Sequence, residues 1–281
     1  MEKLAKERPH IRDLFDRDKE RATRFVLEND FFILDYGKTH LTDELLEAAE
    51  ALHAQLHVEQ RIEALFKGEK VNITENRPAL HTALRLPEGN SLTVEGRDIM
   101  PEIYEVRRRM KALSGHFHNR RLTGSTGKPL RYVVNIGIGG SFLGPMTAIH
   151  ALAPYQKAPV AFMANVDNEH VKKVFEAFPP EETLYIVVSK SFSTPETLMN
   201  AGIVKDRLSE MYGLESIRKH FWAVTANPAK AAGFGIAEEN IFPMWDFVGG
   251  RYSLWSAVGL AVALGLGYDR FEEMLRGAYR A

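Results

Sequence analysis

Between Arg12 and Phe66 the hydrophobic residues Leu14, Phe15, Phe25, Leu41, Leu45, Leu52, Leu56, Ile62, Leu65 and Phe66 recur mostly three or four positions apart among charged ones. Such spacing lays apolar side chains along one stripe of a helix, so helices are predicted here. A short apolar patch, Phe31 to Leu34, reads as a strand or a turn. Pro, Gly, Asn and Ser gather between Pro87 and Gly96, and Pro101 opens another helical pattern through Met110 and Leu113, placing a domain boundary near residues 90–120. Beyond Gly124 the rhythm changes. Short apolar runs alternate with helical stretches, as when parallel strands buried on both faces are joined by crossover helices. The predicted strands are Tyr132 to Ile136, Val160 to Ala164, Leu184 to Ser189, Phe221 to Thr225 and, more weakly, Ile241 to Pro243.

Composition narrows the function. The chain has 281 residues, 45% hydrophobic and 26% charged, enough to bury a substantial core. Its 36 basic and 37 acidic residues nearly cancel, so no global field favours nucleic acid or an anionic membrane, and any anion site must be local. Cysteine is absent, which excludes disulfides, thiolate chemistry and sulfur-ligated metals and suits a reducing cytoplasm. The opening Met1 to Asp18 is charged and has no apolar signal core, and nowhere do about 18 apolar residues follow one another. A chain that stays in the cytoplasm, off the membrane, is expected.

Three motifs carry candidate chemistry. In Asn135 to Gly144, a strand runs into the glycine-rich turn Gly137-Ile138-Gly139-Gly140 and then a helix opened by Ser141. Glycines allow close backbone approach, and free N–H groups at a helix start attract phosphate. A tight turn needing glycine for packing alone is the other reading. A dinucleotide fingerprint is disfavoured, because its third glycine would fall at Phe142; Asp167, after the next strand, suits a helix cap better than a ribose ligand. In Ser189 to Thr197, hydroxyls and Lys190 crowd a strand end and a helix start near Pro195, a donor array suited to a phosphate monoester. Capping by Ser193 with Glu196, or by Thr194, explains the helix start. It leaves Ser189, Lys190 and Ser191 unexplained. In an open α/β sheet ligands lie beyond the carboxyl ends of strands, which puts both motifs on one pocket. The third motif, Trp245 to Leu260, holds Gly249-Gly250-Arg251 before an apolar helix. Its arginine can stabilise an enediolate oxygen or, alternatively, cap carbonyls or pair with Asp246. His53 and His57, four apart on a predicted helix, lack a third metal ligand. The basic stretch Arg107, Arg108, Arg109, Lys111, His116, His118, Arg120 and Arg121 reads as a solvated face.

The run from Gly249 to Gly259 resembles the signature of the glucose-6-phosphate isomerase family. Asn135 to Pro145, Ser189 to Thr197 and Asn72 to Arg85 resemble other segments of that family in the same order. The resemblance spans about residues 70–281 and implies an α/β fold, a sugar isomerase (SIS) type αβα sandwich with a five-stranded parallel sheet. Residues 1–115 would form a helical amino-terminal portion of the large domain, and residues 116–281 the SIS domain. It further implies interconversion of glucose 6-phosphate and fructose 6-phosphate through a cis-enediolate, without a cofactor, in a cytoplasmic homodimer that engages neither nucleic acid nor membrane. Carried over residue by residue, Ser189, Ser191 and Thr194, with Lys190 and Ser141, match the phosphate binders. Gly140, Gly250 and Arg251 match the reacting end, Arg251 as enediolate stabiliser, and Glu196 matches a glutamate that orients the ring-opening histidine. Departures are Phe142 for an aspartate, and Ser191, Ser193 and Pro195 for Thr, Thr and Gln. Family members run to roughly twice this length, and their base glutamate, ring-opening histidine and a lysine lie beyond Ala281. The chain therefore reads as the amino-terminal half, inactive alone. The rival expectation is a non-catalytic sugar-phosphate-binding module of SIS type; a nicotinamide-dependent enzyme is a third.

Overall fold

A computed structural model describes residues 9–281; the charged opening from Met1 to Arg8 lies outside the described residues. Contacts divide the chain into two units that part between Ala64 and Leu65. The first unit holds the helices α1 (Ile11–Arg17) and α2 (Arg21–Arg24), an antiparallel hairpin of β1 (Val26–Glu28) and β2 (Ile33–Asp35), and α3 (Asp43–Gln55); α4 (Val58–Lys67) carries the chain across the division. Helix periodicity alone runs through Phe25 and misses β1, while the patch at Phe31 to Leu34 resolves into the hairpin turn and β2. The Asn29 carboxamide holds that turn by accepting from the Phe31 and Phe32 N–H groups (2.8 and 3.0 Å). Arg21, 2% exposed, organises the unit. Its guanidinium donates to the carbonyls of Gly37, Thr39 and Leu41 (2.7, 2.9 and 2.8 Å) and lies over the Phe25 ring. The expectation that His53 and His57 share a helix face is corrected: α3 ends at Gln55, and His57 has a positive φ of 53° in the link to α4.

The second unit begins with a short hairpin of β3 (Thr93–Val94) and β4 (Arg97–Asp98), followed by α5 (Met100–His118) with Pro101 in its first turn. Strands and helices then alternate: β5 (Tyr132–Ile136), α6 (Gly140–Ala151), β6 (Val160–Met163), α7 (Asn168–Ala177), β7 (Thr183–Val188), α8 (Pro195–Tyr212), α9 (Ser216–His220), β8 (Phe221–Thr225), α10 (Pro228–Phe234) and β9 (Ile241–Pro243). Two helices, α11 (Leu260–Leu266) and α12 (Tyr268–Arg280), close the unit. The five strands form one parallel sheet in the order β6-β5-β7-β8-β9. Three predicted strands match residue for residue, and the other two shift by a single residue at their ends.

Alternation along each strand splits the core into two layers. Val133, Leu184, Ile186, Trp222 and Phe242 face α5, α6, α11 and α12. Val134, Ile136, Tyr185, Val187 and Phe221 face α7, α8, α9 and α10. The result is the expected αβα sandwich, which explains why the strand sequences are mostly apolar, with Asn135, Thr183 and Thr225 as buried polar exceptions near strand ends. Asp167 caps α7 by accepting from the Glu169 N–H (2.9 Å), as expected of it. The solvated reading of the basic stretch is corrected for Arg107, Arg109 and His118, the last half-buried at the end of α5. Arg107 is partly buried and donates to the Leu86 carbonyl (2.7 Å) and to that of Leu84; Arg109 donates to the carbonyls of Glu239 and Ile241 and lies over the Phe242 ring. Both use the flat, multi-donor guanidinium to gather carbonyls of irregular chain.

Candidate functional site

Strands β5 and β7 are neighbours, and the two loops leaving their carboxyl ends meet at a cleft of ≈ 540 Å³. The first loop is shaped by glycine. Gly139 has φ 58°, a conformation that disfavours any Cβ. At Gly140 a Cβ would stand 2.3 Å from the carbonyl carbon and oxygen of Gly250. The turn before α6 and the loop before Arg251 therefore cross backbone against backbone, and only glycine permits it. Asn135, buried at the end of β5, braces the crossing by donating to the Ser141 carbonyl (3.0 Å). Phe142, the departure from the family pattern, turns edge-on to Phe162 (5.7 Å) and packs on the sheet's apolar layer, which is why an apolar residue fits there.

The second loop is held by Phe192, a non-glycine residue with φ 47° whose side chain is buried against Phe234. Burying the ring stabilises a backbone conformation that would otherwise cost energy, and the residues on either side are thrown toward the cleft. Their hydroxyls are not used as caps. Thr194 occupies the N-cap position of α8, yet no side chain caps that helix. Thr194 instead shares a hydrogen bond with Ser189 (3.2 Å), and Ser193 donates to Ser191 (2.7 Å). The first N–H groups of α8 keep their donor capacity beside a row of hydroxyls.

Seven of the expected residues line the cleft: Gly140, Ser141, Ser189, Lys190, Ser191, Thr194 and Gly250. Arg251 and Glu196 are exposed and are not among its lining residues. Arg251 directly follows Gly250, and its guanidinium lies 5.0 Å from the Tyr252 ring. The alternative pairing of Arg251 with Asp246 is not formed. The Asp246 carboxylate lies 3.3 Å from Arg77 and 3.7 Å from Lys190. Lys190 does more than face the cleft. Its ammonium donates to the carbonyls of Asp246 and Val248 (3.0 and 3.1 Å), tying the hydroxyl loop of β7 to the glycine–arginine loop.

Asn227 and Lys230 also line the cleft and were not read from the sequence; Thr197, Asp246 and Ser253, which lie within the motifs, line it too without having been expected as binders. Asn227 and Lys230 sit just past the carboxyl end of β8, beside β7, so the strand-end rule that located the first two loops applies to them equally. The buried Thr197 hydroxyl has no protein partner. The Lys230 ammonium has no carboxylate at ion-pair distance among the described residues and is the cation most free to meet an anion.

A family model described as phosphoglucose isomerase matches residues 35–281. The chain belongs to the phosphoglucose isomerase family. It is 46% identical over 272 residues to a glucose-6-phosphate isomerase of Ectopseudomonas mendocina, covering 96% of this chain and 49% of that protein. It is also 46% identical over 273 residues to that of Pseudoalteromonas atlantica, covering 96% and 50%. A crystal structure of a glucose-6-phosphate isomerase from Chlamydia trachomatis superposes with a TM-score of 0.83 at 26% identity, over 99% of this chain and 53% of that one. The chain thus spans about half the length of the relatives it matches, and its sandwich is of the sugar isomerase type.

Proposed function

We propose that this chain supplies the phosphate grip of an enzyme that interconverts glucose 6-phosphate and fructose 6-phosphate. The observation that carries the reading is the hydroxyl loop. Ser189, Ser191, Ser193 and Thr194 pair with one another instead of capping α8, around a cleft shared with Gly140 and Ser141. A phosphate monoester exchanges those weak hydroxyl pairs for charge-assisted bonds and takes the Gly140 N–H at the start of α6 and the Glu196 and Thr197 N–H groups in the first turn of α8. Lys230 supplies the unneutralised charge.

With the phosphate seated there, the sugar's carbonyl end lies toward the Gly140–Gly250 crossing, and Arg251 stabilises the enediolate formed as a proton moves between C1 and C2. The shift leaves the substrate's net oxidation state unchanged, so the chemistry requires no redox cofactor. Asp246 is the carboxylate lining the cleft, but Arg77 and Lys190 hold it. We assign the base to the part of the family's length that these 281 residues do not cover, and Glu196 to orienting the ring-opening histidine from outside the cleft. The whole enzyme is read as a cytoplasmic homodimer, with residues 116–281 as its sugar isomerase domain and residues 1–115 as the helical portion.

The test is thermal stabilisation. Fructose 6-phosphate or 5-phosphoarabinonate should raise the melting temperature of this polypeptide, because a ligand bound only by the folded state stabilises it. Fructose should not. Ser189→Ala with Thr194→Ala should remove the shift; an undiminished shift in that variant would refute the cleft. Isomerase turnover by the 281-residue polypeptide would overturn the placement of the base.

A further inference from the structure

A second cavity, of ≈ 300 Å³, opens between the turn at Arg85 to Glu88, α5 and α12, and shares no lining residue with the hydroxyl cleft. Part of the basic stretch on α5 forms one wall, Arg107, Arg108 and Lys111; Arg85 and Arg276 complete the ring. Arg108 is neutralised by Glu105 (2.8 Å) and Glu88 (3.3 Å). The other four cations have no carboxylate at ion-pair distance among the described residues. Glu272, the remaining carboxylate of the cavity, pairs with none of them.

This arrangement is costly without an anion. Arg107 spends its terminal nitrogens on the Leu84 and Leu86 carbonyls, and its Nε, like that of Arg85, is buried without a partner. Burial holds both guanidinium groups below their ordinary pKa, at Arg107 outweighing the opposite pull of Tyr268, Tyr104, Glu272 and Glu88. Beside them the Tyr268 hydroxyl, pushed up to about 12 chiefly by burial, stays a neutral donor. Lys111, whose ammonium lies 5.7 Å from the Tyr268 ring, and Arg276 are exposed and can close over an incoming group.

We propose that this cavity is a second anion site, taking a small molecule with at least two negative charges on phosphate or carboxylate groups, held by Arg85, Lys111 and Arg276 in the field of Arg107. The volume lies at the lower end of ligand-pocket sizes, which favours a compact metabolite over a nucleotide.

Calorimetric titration of pyrophosphate and, separately, citrate into this polypeptide at low ionic strength tests the site. Three forms are compared: the parent chain, Ser189→Ala/Thr194→Ala, and Lys111→Gln/Arg276→Gln, whose two positions are exposed and make no hydrogen bond the fold depends on. One saturable binding event should survive the loss of the hydroxyls and weaken about tenfold or more when the two cations are removed, since charge attraction at a partly screened site is worth that much. Binding of pyrophosphate alone assigns the site to phosphates, and competition by citrate extends it to carboxylates. The proposal is overturned if neither probe binds saturably, or if binding persists undiminished in Lys111→Gln/Arg276→Gln.

Discussion

At the amino-terminal rim of the parallel sheet, the fully buried His220 ring accepts the Ser125 N–H at Nε2 (2.9 Å) and donates from Nδ1 to the Thr183 carbonyl (2.8 Å). At the carboxyl rim the equally buried Thr197 hydroxyl has no partner, and Ser189 and Thr194 have only each other. Around the first rim Lys128 meets Glu181 and Glu182, and Arg131 meets Glu182. Around the second, Lys230 meets no carboxylate. One sheet therefore treats similar polar groups in two ways. At the first rim both imidazole nitrogens are answered and the surrounding charges are paired, although the buried Ser125 hydroxyl has no partner; at the second rim the leftover donors surround a cavity, where a ligand can take them.

The largest effect that would break this contrast is expected at His220. His220→Ala removes a buried ring and leaves the Ser125 N–H and the Thr183 carbonyl unpaired, so unfolding free energy should fall by about 2–4 kcal/mol. The thermal shift given by fructose 6-phosphate should survive. Denaturant unfolding with and without ligand separates the two quantities. A variant that keeps its stability but loses the ligand shift would invert the assignment of the rims.

The core was largely legible in the sequence because burial on both faces forces nearly unbroken apolar runs: Val133 enters one layer and Val134 the other, and the one polar residue of that strand, Asn135, is used to brace the glycine turn. Of the first hairpin, the patch at Phe31 to Leu34 was read as a strand or a turn, whereas β1 at Val26 was missed, since Leu27 is half exposed and the strand leaves no alternating signature. Within the site, the loops around Gly140 and Ser189 were legible from glycine and hydroxyl chemistry at strand ends. The carbonyls that Lys190 reaches were not, because they belong to residues more than fifty positions downstream. The four residues from Arg107 to Met110 show the same limit. Charge alone could not tell that Arg107 turns into a cavity while Arg109 braces β9.

A smaller effect sharpens the comparison through pH. Burial, opposed in part by the Thr183 carbonyl, lowers the His220 pKa in the folded state. The folded chain therefore binds fewer protons than the unfolded one. Stability contributed by the neutral ring should be complete above the unfolded value near 6.5 and decline as pH falls below it, by at most about 1.4 kcal/mol per pH unit. It levels off once the folded ring protonates. His81 and His118, also lowered chiefly by burial, add to the decline. His220→Gln should flatten the profile between about pH 6.5 and 5, and an unchanged slope would show that the ring does not titrate with unfolding.

The smallest effect belongs to Lys128, at the outer edge of the same rim. Its ammonium lies 3.1 Å from Glu181, whose carboxyl is held below the usual range first by its own backbone N–H and then by Lys128. The lysine side chain is 54% exposed, so water and salt screen the pair. Lys128→Met should lower the melting temperature by only on the order of 1 °C, far less than His220→Ala. In about 0.5 M salt the difference from the parent chain should vanish. A large loss that persists in salt would mean that the satisfied rim depends on its surface ions and not on the buried imidazole, and the contrast between the rims would then have to be redrawn around charge.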